Sequence, residues 1–282
     1  MKIVDTHQHL IYPDRFRYPW CGGLPTFEDQ ALRLEEYRAA ANETGIEQTI
    51  FMEVDVDETQ MKSEAEFFLQ LASDPDSKIA GVVAAGRPER ENFSEYLDSI
   101  QHPKLKGLRR VLHNQPDELS QSQLFAENLS RLAERNLTFD LCLLARQLDL
   151  AKTILRRAPK VQFILDHCGI PNVKDAELDP WRRQVRELAN YPNLACKISG
   201  LVAYCDPQRV NAEAIRPFVE HCIDCFGWER VLFGGDWPVC NLTSTLRRWV
   251  EIAKEIFQTE SADRQRQFFS ENAERIYGLN ES

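Results

Sequence analysis

The residues able to do chemistry in this 282-residue chain fall in a few short motifs. The first is His7-Gln8-His9, two imidazoles one residue apart. On an extended chain, residues two apart point to the same side, so an H-x-H can offer two nitrogens to one ion. Alone the motif is a weak signal, because histidines that bond loop carbonyls read the same way. Three further residues strengthen it. His167 closes the apolar run FILDH, Asp236 closes VLFGGD, and Glu53 closes TIFME. Imidazoles and carboxylates meeting at one mouth make a competent site for one divalent ion, zinc first, with manganese or another first-row ion as alternatives. The metal-ligand set is therefore His7, His9, Glu53, His167 and Asp236, with Glu53 either a fifth ligand or an acceptor that fixes a histidine tautomer.

Two cations inside apolar runs bear on the substrate: Arg109 in KGLRRVL and Lys197 in CKISG. A buried cation must be paired or must meet a ligand. One reading pairs one of them with Asp140 of FDLCL. The other has them hold an anionic or polyhydroxylated small molecule and stabilise negative charge developing on oxygen. Asp236, His167, Arg109 and Lys197 are the expected catalytic groups. Trp20, His113, Asp140, Ser199 and Trp237 are the expected substrate contacts. Asp166 precedes His167 and is expected to face the other way, as a structural or capping carboxylate. His102 and His221 read as surface residues. Cys222-x-x-Cys225 has no second pair and a helical context, so it reads as neither a zinc nor a redox motif.

These residues need a frame that brings their motifs together. Eight apolar runs, at 2–7, 48–54, 79–85, 105–111, 137–143, 161–167, 194–200 and 230–236, show little in/out alternation. Strands buried on both faces of a parallel sheet read this way. Amphipathic stretches at 28–44, 59–72, 90–100, 122–135, 146–157, 180–189, 212–226 and 244–257 lie between and after them. Strict alternation of this kind predicts a (β/α)8 TIM barrel, one domain over 1–282, with an extra C-terminal helix at 262–277 capping the outer ring. An open doubly wound sheet would want a glycine-rich phosphate loop after its first strand, and none follows here. A 12–27 loop carrying Trp20 is long enough to be a lid or pocket wall.

Lys plus Arg is 34 against 44 Asp plus Glu, a formal charge of −10, which argues against a nucleic-acid partner. No run approaches a membrane span, and the first residues lack the pattern of a signal peptide. The eight cysteines sit mostly in apolar runs, as free thiols do in a reducing compartment. The expectation is a cytoplasmic enzyme of a small molecule, with oligomeric state left open.

The stretches VDTHQHL, KGLRRVL, FDLCL, FILDHCGIP, CKISGL and VLFGGDWPV, in that order, resemble the amidohydrolase superfamily, and within it amidohydrolase family 2. The nearest likeness is to its sugar-lactone hydrolases, the L-fuconolactonase, L-rhamnonolactonase and pyrone dicarboxylate lactonase type. The resemblance implies a metal site in which His7, His9, His167 and Asp236 match four positions. Asp140 replaces the usual histidine or carbamylated lysine, so a binuclear centre is not implied. The branch also includes metal-independent enzymes, so one divalent ion and none are both open. The implied reaction is hydrolysis of a sugar-acid lactone to the hydroxy acid, in carbohydrate metabolism, with Asp236 activating water. The alternative is a metal-dependent decarboxylase of an unsaturated or aromatic acid.

Overall fold

Eight strands pair in parallel and in sequence order in the computed structural model, which describes residues 1–279. They are β1 (Ile3–Gln8), β2 (Ile46–Met52), β3 (Ile79–Ala85), β4 (Leu105–Val111), β5 (Thr138–Cys142), β6 (Phe163–Leu165), β7 (Leu194–Ile198) and β8 (Val231–Phe233). The last strand returns to the first. Gln8 bridges Trp237, the His9 amide donates to the Trp237 carbonyl at 2.8 Å, and the Asp236 amide donates to the His7 carbonyl at 2.8 Å. The barrel thus closes through the residues singled out for chemistry.

Helices α1 (Leu34–Ala41), α2 (Met61–Ser73), α3 (Phe93–Ser99), α4 (Gln123–Ala133), α5 (Leu148–Arg157), α6 (Trp181–Leu188), α7 (Ala212–Phe226) and α8 (Leu246–Phe257) follow the eight strands in turn. The helix expected at 28–44 begins only at Leu34. Leu32 instead pairs its backbone with Ile11, which holds the chain extended. The helices bury their apolar stripes against the outer sheet face, as Phe68 does on Phe51, their rings stacked at 3.5 Å. Inside the barrel a smaller cluster forms the floor, from Ile50, Met52, Val83, Ile164, Ala195 and Leu232.

The C-terminal helix departs from expectation. It runs as α9 (Ala262–Arg266), a π-turn at Gln267–Glu271, and α10 (Asn272–Ile276). Rather than capping the outer ring, it delivers Tyr277 into the interior cluster, with the hydroxyl donating to Asp140 Oδ1 at 3.0 Å. Asn272 Nδ2 bonds the Val231 carbonyl at the start of β8 at 2.9 Å, and Lys106 Nζ near the start of β4 bonds the Gly278 carbonyl at 3.0 Å. The reason is polar: Asp140 and Lys197 lie inside the barrel, and an open N-terminal mouth would leave that pair to water. No helix of the described residues is long and apolar enough to cross a membrane.

Candidate active site

At the C-terminal ends of the strands, His7, His9 and His167 surround Asp236. His7 and His9 sit with ring centroids 4.8 Å apart, and His7 and His167 4.5 Å apart. His7 Nε2 is 3.8 Å and His9 Nε2 3.7 Å from Asp236 Oδ1, and His167 Nδ1 is 3.8 Å from Asp236 Oδ2. His9 Nδ1 lies 3.0 Å from the Met52 carbonyl. A carbonyl only accepts, so that nitrogen carries the proton and Nε2 keeps its lone pair toward Asp236. His167 Nδ1 is 2.9 Å from Ser199 Oγ.

Two of these residues stand in left-handed backbone, His167 at φ 53° and Asp236 at φ 55°. Such conformations cost about 1–3 kcal/mol each and persist where the surroundings impose them. Gly200, at φ +68°, is one such constraint. A Cβ there would lie 2.7 Å from His167 Nδ1 and 3.0 Å from Asp236 Oδ2. Asp5 is another. Its carboxylate accepts from the His7 amide at 2.9 Å, the Gly235 amide at 2.6 Å and the Tyr37 hydroxyl at 2.7 Å. It therefore ties the β1 histidines to the segment that bears Asp236.

Burial sets the protonation states. It pushes His9 down to about 3, with Arg109 adding to the effect. It also brings His167 to about 3, against the pull of Asp166. Both are neutral imidazoles at physiological pH. Burial pushes the Asp236 carboxyl well above the usual range, and Arg109 works against that rise. Asp236 Oδ2 is buried and has no hydrogen-bond partner among the described residues. Such an atom is costly unless it meets a ligand, a water or an ion.

The donors fit one divalent ion. His7, His9 and Asp236 place their ligand atoms within 4.8 Å of one another, and two imidazoles with a carboxylate suit zinc. Glu53 is not in that group. Arg109 Nε holds its Oε1 at 2.7 Å, and the Asp55 amide holds its Oε2 at 2.7 Å. Burial raises the Glu53 carboxyl, but Arg109 and Arg87 outweigh it and keep it below its ordinary value. His167 groups with His7 and Asp166 instead.

Asp166 corrects the sequence reading. It faces inward, 3.5 Å from His7 Nδ1 and 3.0 Å from Lys197 Nζ. β6 ends at Leu165, and His167, Cys168, Gly169 and Ile170 all take positive φ. The alternation expected across 161–167 therefore stops before it reaches Asp166. His221 is also largely buried, packed against Trp181 at 5.3 Å, with only its edge reaching an outer groove.

Lys197 is fully buried beneath His7, with Nζ 2.5 Å from Asp140 and 3.3 Å from His7 Nδ1. Burial opposes its charge, but Asp140 and Asp166 outweigh it and hold the amine above its ordinary value. A cavity of about 200 Å³ opens above Asp236. Trp20, Arg109, His113, His167 and Asp236 line it, together with Asn114, Cys142 and Tyr204, which sequence reasoning had passed over. Trp20 is fixed by its indole N–H to the Val54 carbonyl at 2.7 Å, and His113 Nδ1 lies 3.3 Å from Cys142 Sγ. Lys197, Asp140, Ser199 and Trp237 are absent from the lining. Ser199 stands behind His167, and Trp237 packs on Tyr37 at 5.5 Å.

Known proteins resemble this chain over most of its length. The L-fucono-1,5-lactonase of Burkholderia multivorans is 29% identical over 268 residues, covering 88% of each chain. The L-rhamnono-gamma-lactonase of Scheffersomyces stipitis is 21% identical over 99% of each. A crystal structure of an amidohydrolase from Burkholderia multivorans with bound zinc superposes with a TM-score of 0.88 at 27% identity, covering 99% of this chain and 100% of that one. The amidohydrolase family profile matches residues 4–279, and the chain belongs to that family.

Proposed function

We propose that this protein hydrolyses the lactone of a sugar acid to the open hydroxy acid. The observation that carries the reading is Asp236, a buried carboxylate with one free oxygen, ringed by neutral histidines at the base of a cavity sized for a small ring. The lactonase names of relatives that match most of the chain support the same class.

Asp236 takes a proton from water as the water oxygen bonds to the lactone carbonyl carbon. The burial that raises the Asp236 carboxyl also makes its anion a stronger base. Negative charge moves to the former carbonyl oxygen, and the Arg109 guanidinium in the cavity wall stabilises it. Arg109 is held in place by Glu53, through Nε to Oε1 and through its second amino group to the Glu53 carbonyl, each at 2.7 Å. When the acyl carbon–oxygen bond breaks, Asp236 returns the proton to the ring oxygen. A divalent ion held by His7, His9 and Asp236 would polarise the carbonyl and lower the pKa of water. Lys197 and Asp166 act below this level, fixing His7 from its Nδ1 side.

A pH-indicator assay over a panel of sugar lactones tests the reading, with carbon dioxide release from unsaturated and aromatic acids measured in parallel. Proton release with lactones, abolished in Asp236→Asn with unchanged circular dichroism, is expected. Near wild-type kcat in Asp236→Asn would overturn the assignment. Carbon dioxide release without lactone turnover would replace it with decarboxylation.

A further inference from the structure

Three of the eight cysteines meet behind the active site, where the reaction makes no use of them. Cys168 lies in the left-handed segment after β6, Cys196 in β7 and Cys222 in α7. Their sulfurs lie within 4.8 Å of one another, and all three residues are fully buried. Burial of single thiols as small hydrophobes accounts for cysteine in apolar runs. It does not account for three thiols from three separate elements sharing one point.

Soft thiolate sulfur selects closed-shell ions such as cuprous copper and zinc. Structural zinc takes four ligands. Only three sulfurs converge here, and no imidazole or carboxylate joins their group among the described residues. Cuprous copper is satisfied by three sulfurs. The surroundings also supply a way in. His221, the residue before Cys222, lines a surface cavity of about 570 Å³ with Arg182, Glu220 and Asp224. Its Nε2 lies 3.4 Å from the sulfur of the partly exposed Cys225, which is one turn beyond Cys222 on the same helix. The cavity wall therefore reaches the turn of α7 that bears Cys222, with the partly exposed sulfur of Cys225 beside it.

We propose that Cys168, Cys196 and Cys222 form a binding site for one thiophilic closed-shell cation, with cuprous copper the ion that suits three sulfurs. Each thiol that becomes a ligand gives its proton to solvent as the sulfur–metal bond forms. The copper stays cuprous, and no oxidant is needed. The site is independent of the lactone-hydrolysis reading.

The test loads the purified whole protein anaerobically with cuprous copper alone. After dialysis, copper per chain and the copper-edge X-ray absorption spectrum are measured. The expected result is one retained copper per chain with sulfur scatterers, lost in Cys222→Ser and kept in Cys142→Ser, which lies in the other cavity. Cys196→Ala gives an independent loss if Cys222→Ser does not fold. Nitrogen and oxygen scatterers alone in the wild-type protein overturn the proposal. Copper retained on sulfur in both folded variants does so as well.

Discussion

Replacing Lys197 by Met removes the cation from a site shared by two buried carboxylates. Lys197 and Asp140 are both fully buried and 2.5 Å apart, and Asp166 lies 3.0 Å from the same amine. Breaking such a pair by deleting one partner costs about 3–5 kcal/mol, because the remaining charge is left in a poorly solvated place. Unfolding entropy of about 2.1 cal/mol/K per residue gives a chain of this size about 0.6 kcal/mol/K, so the melting temperature should fall by about 5–8 °C. Asp140→Asn in the same background removes one of the two stranded charges. The double variant should therefore be more stable than the sum of the single losses by about 0.5–3 kcal/mol. Calorimetry on the four proteins of the cycle measures this directly. Steady-state kinetics adds a second readout. Lys197 does not line the cavity, so KM should hold while kcat falls as His7 loses its neighbour. An unchanged melting temperature together with a loss confined to KM would refute the reasoning and place Lys197 against substrate.

Gly200→Ala should lower both stability and kcat. The new Cβ meets the His167 ring at 2.7 Å, and left-handed backbone costs a non-glycine residue about 1–2 kcal/mol; thermal melts and turnover check both effects. Tyr37→Phe removes a donor from the buried Asp5 carboxylate, with an expected cost of about 1.5–3 kcal/mol read by denaturant unfolding. If an ion is bound by the His7, His9 and Asp236 group, elemental analysis should find about one divalent ion per chain, and His9→Ala should lose it. Chelation that strips the ion should then remove activity, and zinc should restore it. Tyr277→Ala should cost about 3–5 kcal/mol by opening a cavity in the barrel floor, seen as a lower melting temperature with KM unchanged.

The barrel was legible because its strands are apolar throughout and its helices alternate with them without interruption. His7, His9, His167 and Asp236 were legible because each closes such a run. What escaped the reading lies where periodicity stops. Asp166 was assigned outward by an alternation that ends one residue earlier, at Leu165. Asp5 sits beside a register shift between Asp5 and Gln8, so counting in twos along β1 does not give its partners on α1 and after β8. Lys197 was rightly seen as a cation in a strand, but sequence alone could not say whether its partner was substrate or Asp140. Tyr277 gave no signal, since nothing in its spacing separates a residue that enters the barrel from one that rides on it. The three clustered cysteines lie far apart in sequence, and only the fold brings them together.

Tyr277 also bears on the order in which the molecule can be made. During synthesis the chain emerges from its N-terminal end, and β1 through β8 are all available before residue 277 appears. Until then the interior ion pair has no lid on its lower side, and the Asp140 carboxylate lacks the hydroxyl that reaches it at 3.0 Å. A nascent chain stalled after β8 would therefore lack the closure that Tyr277 gives to the Asp140–Lys197 side of the barrel. Docking of the tail would then add the Tyr277 contacts, in one late event, to a barrel already paired strand to strand.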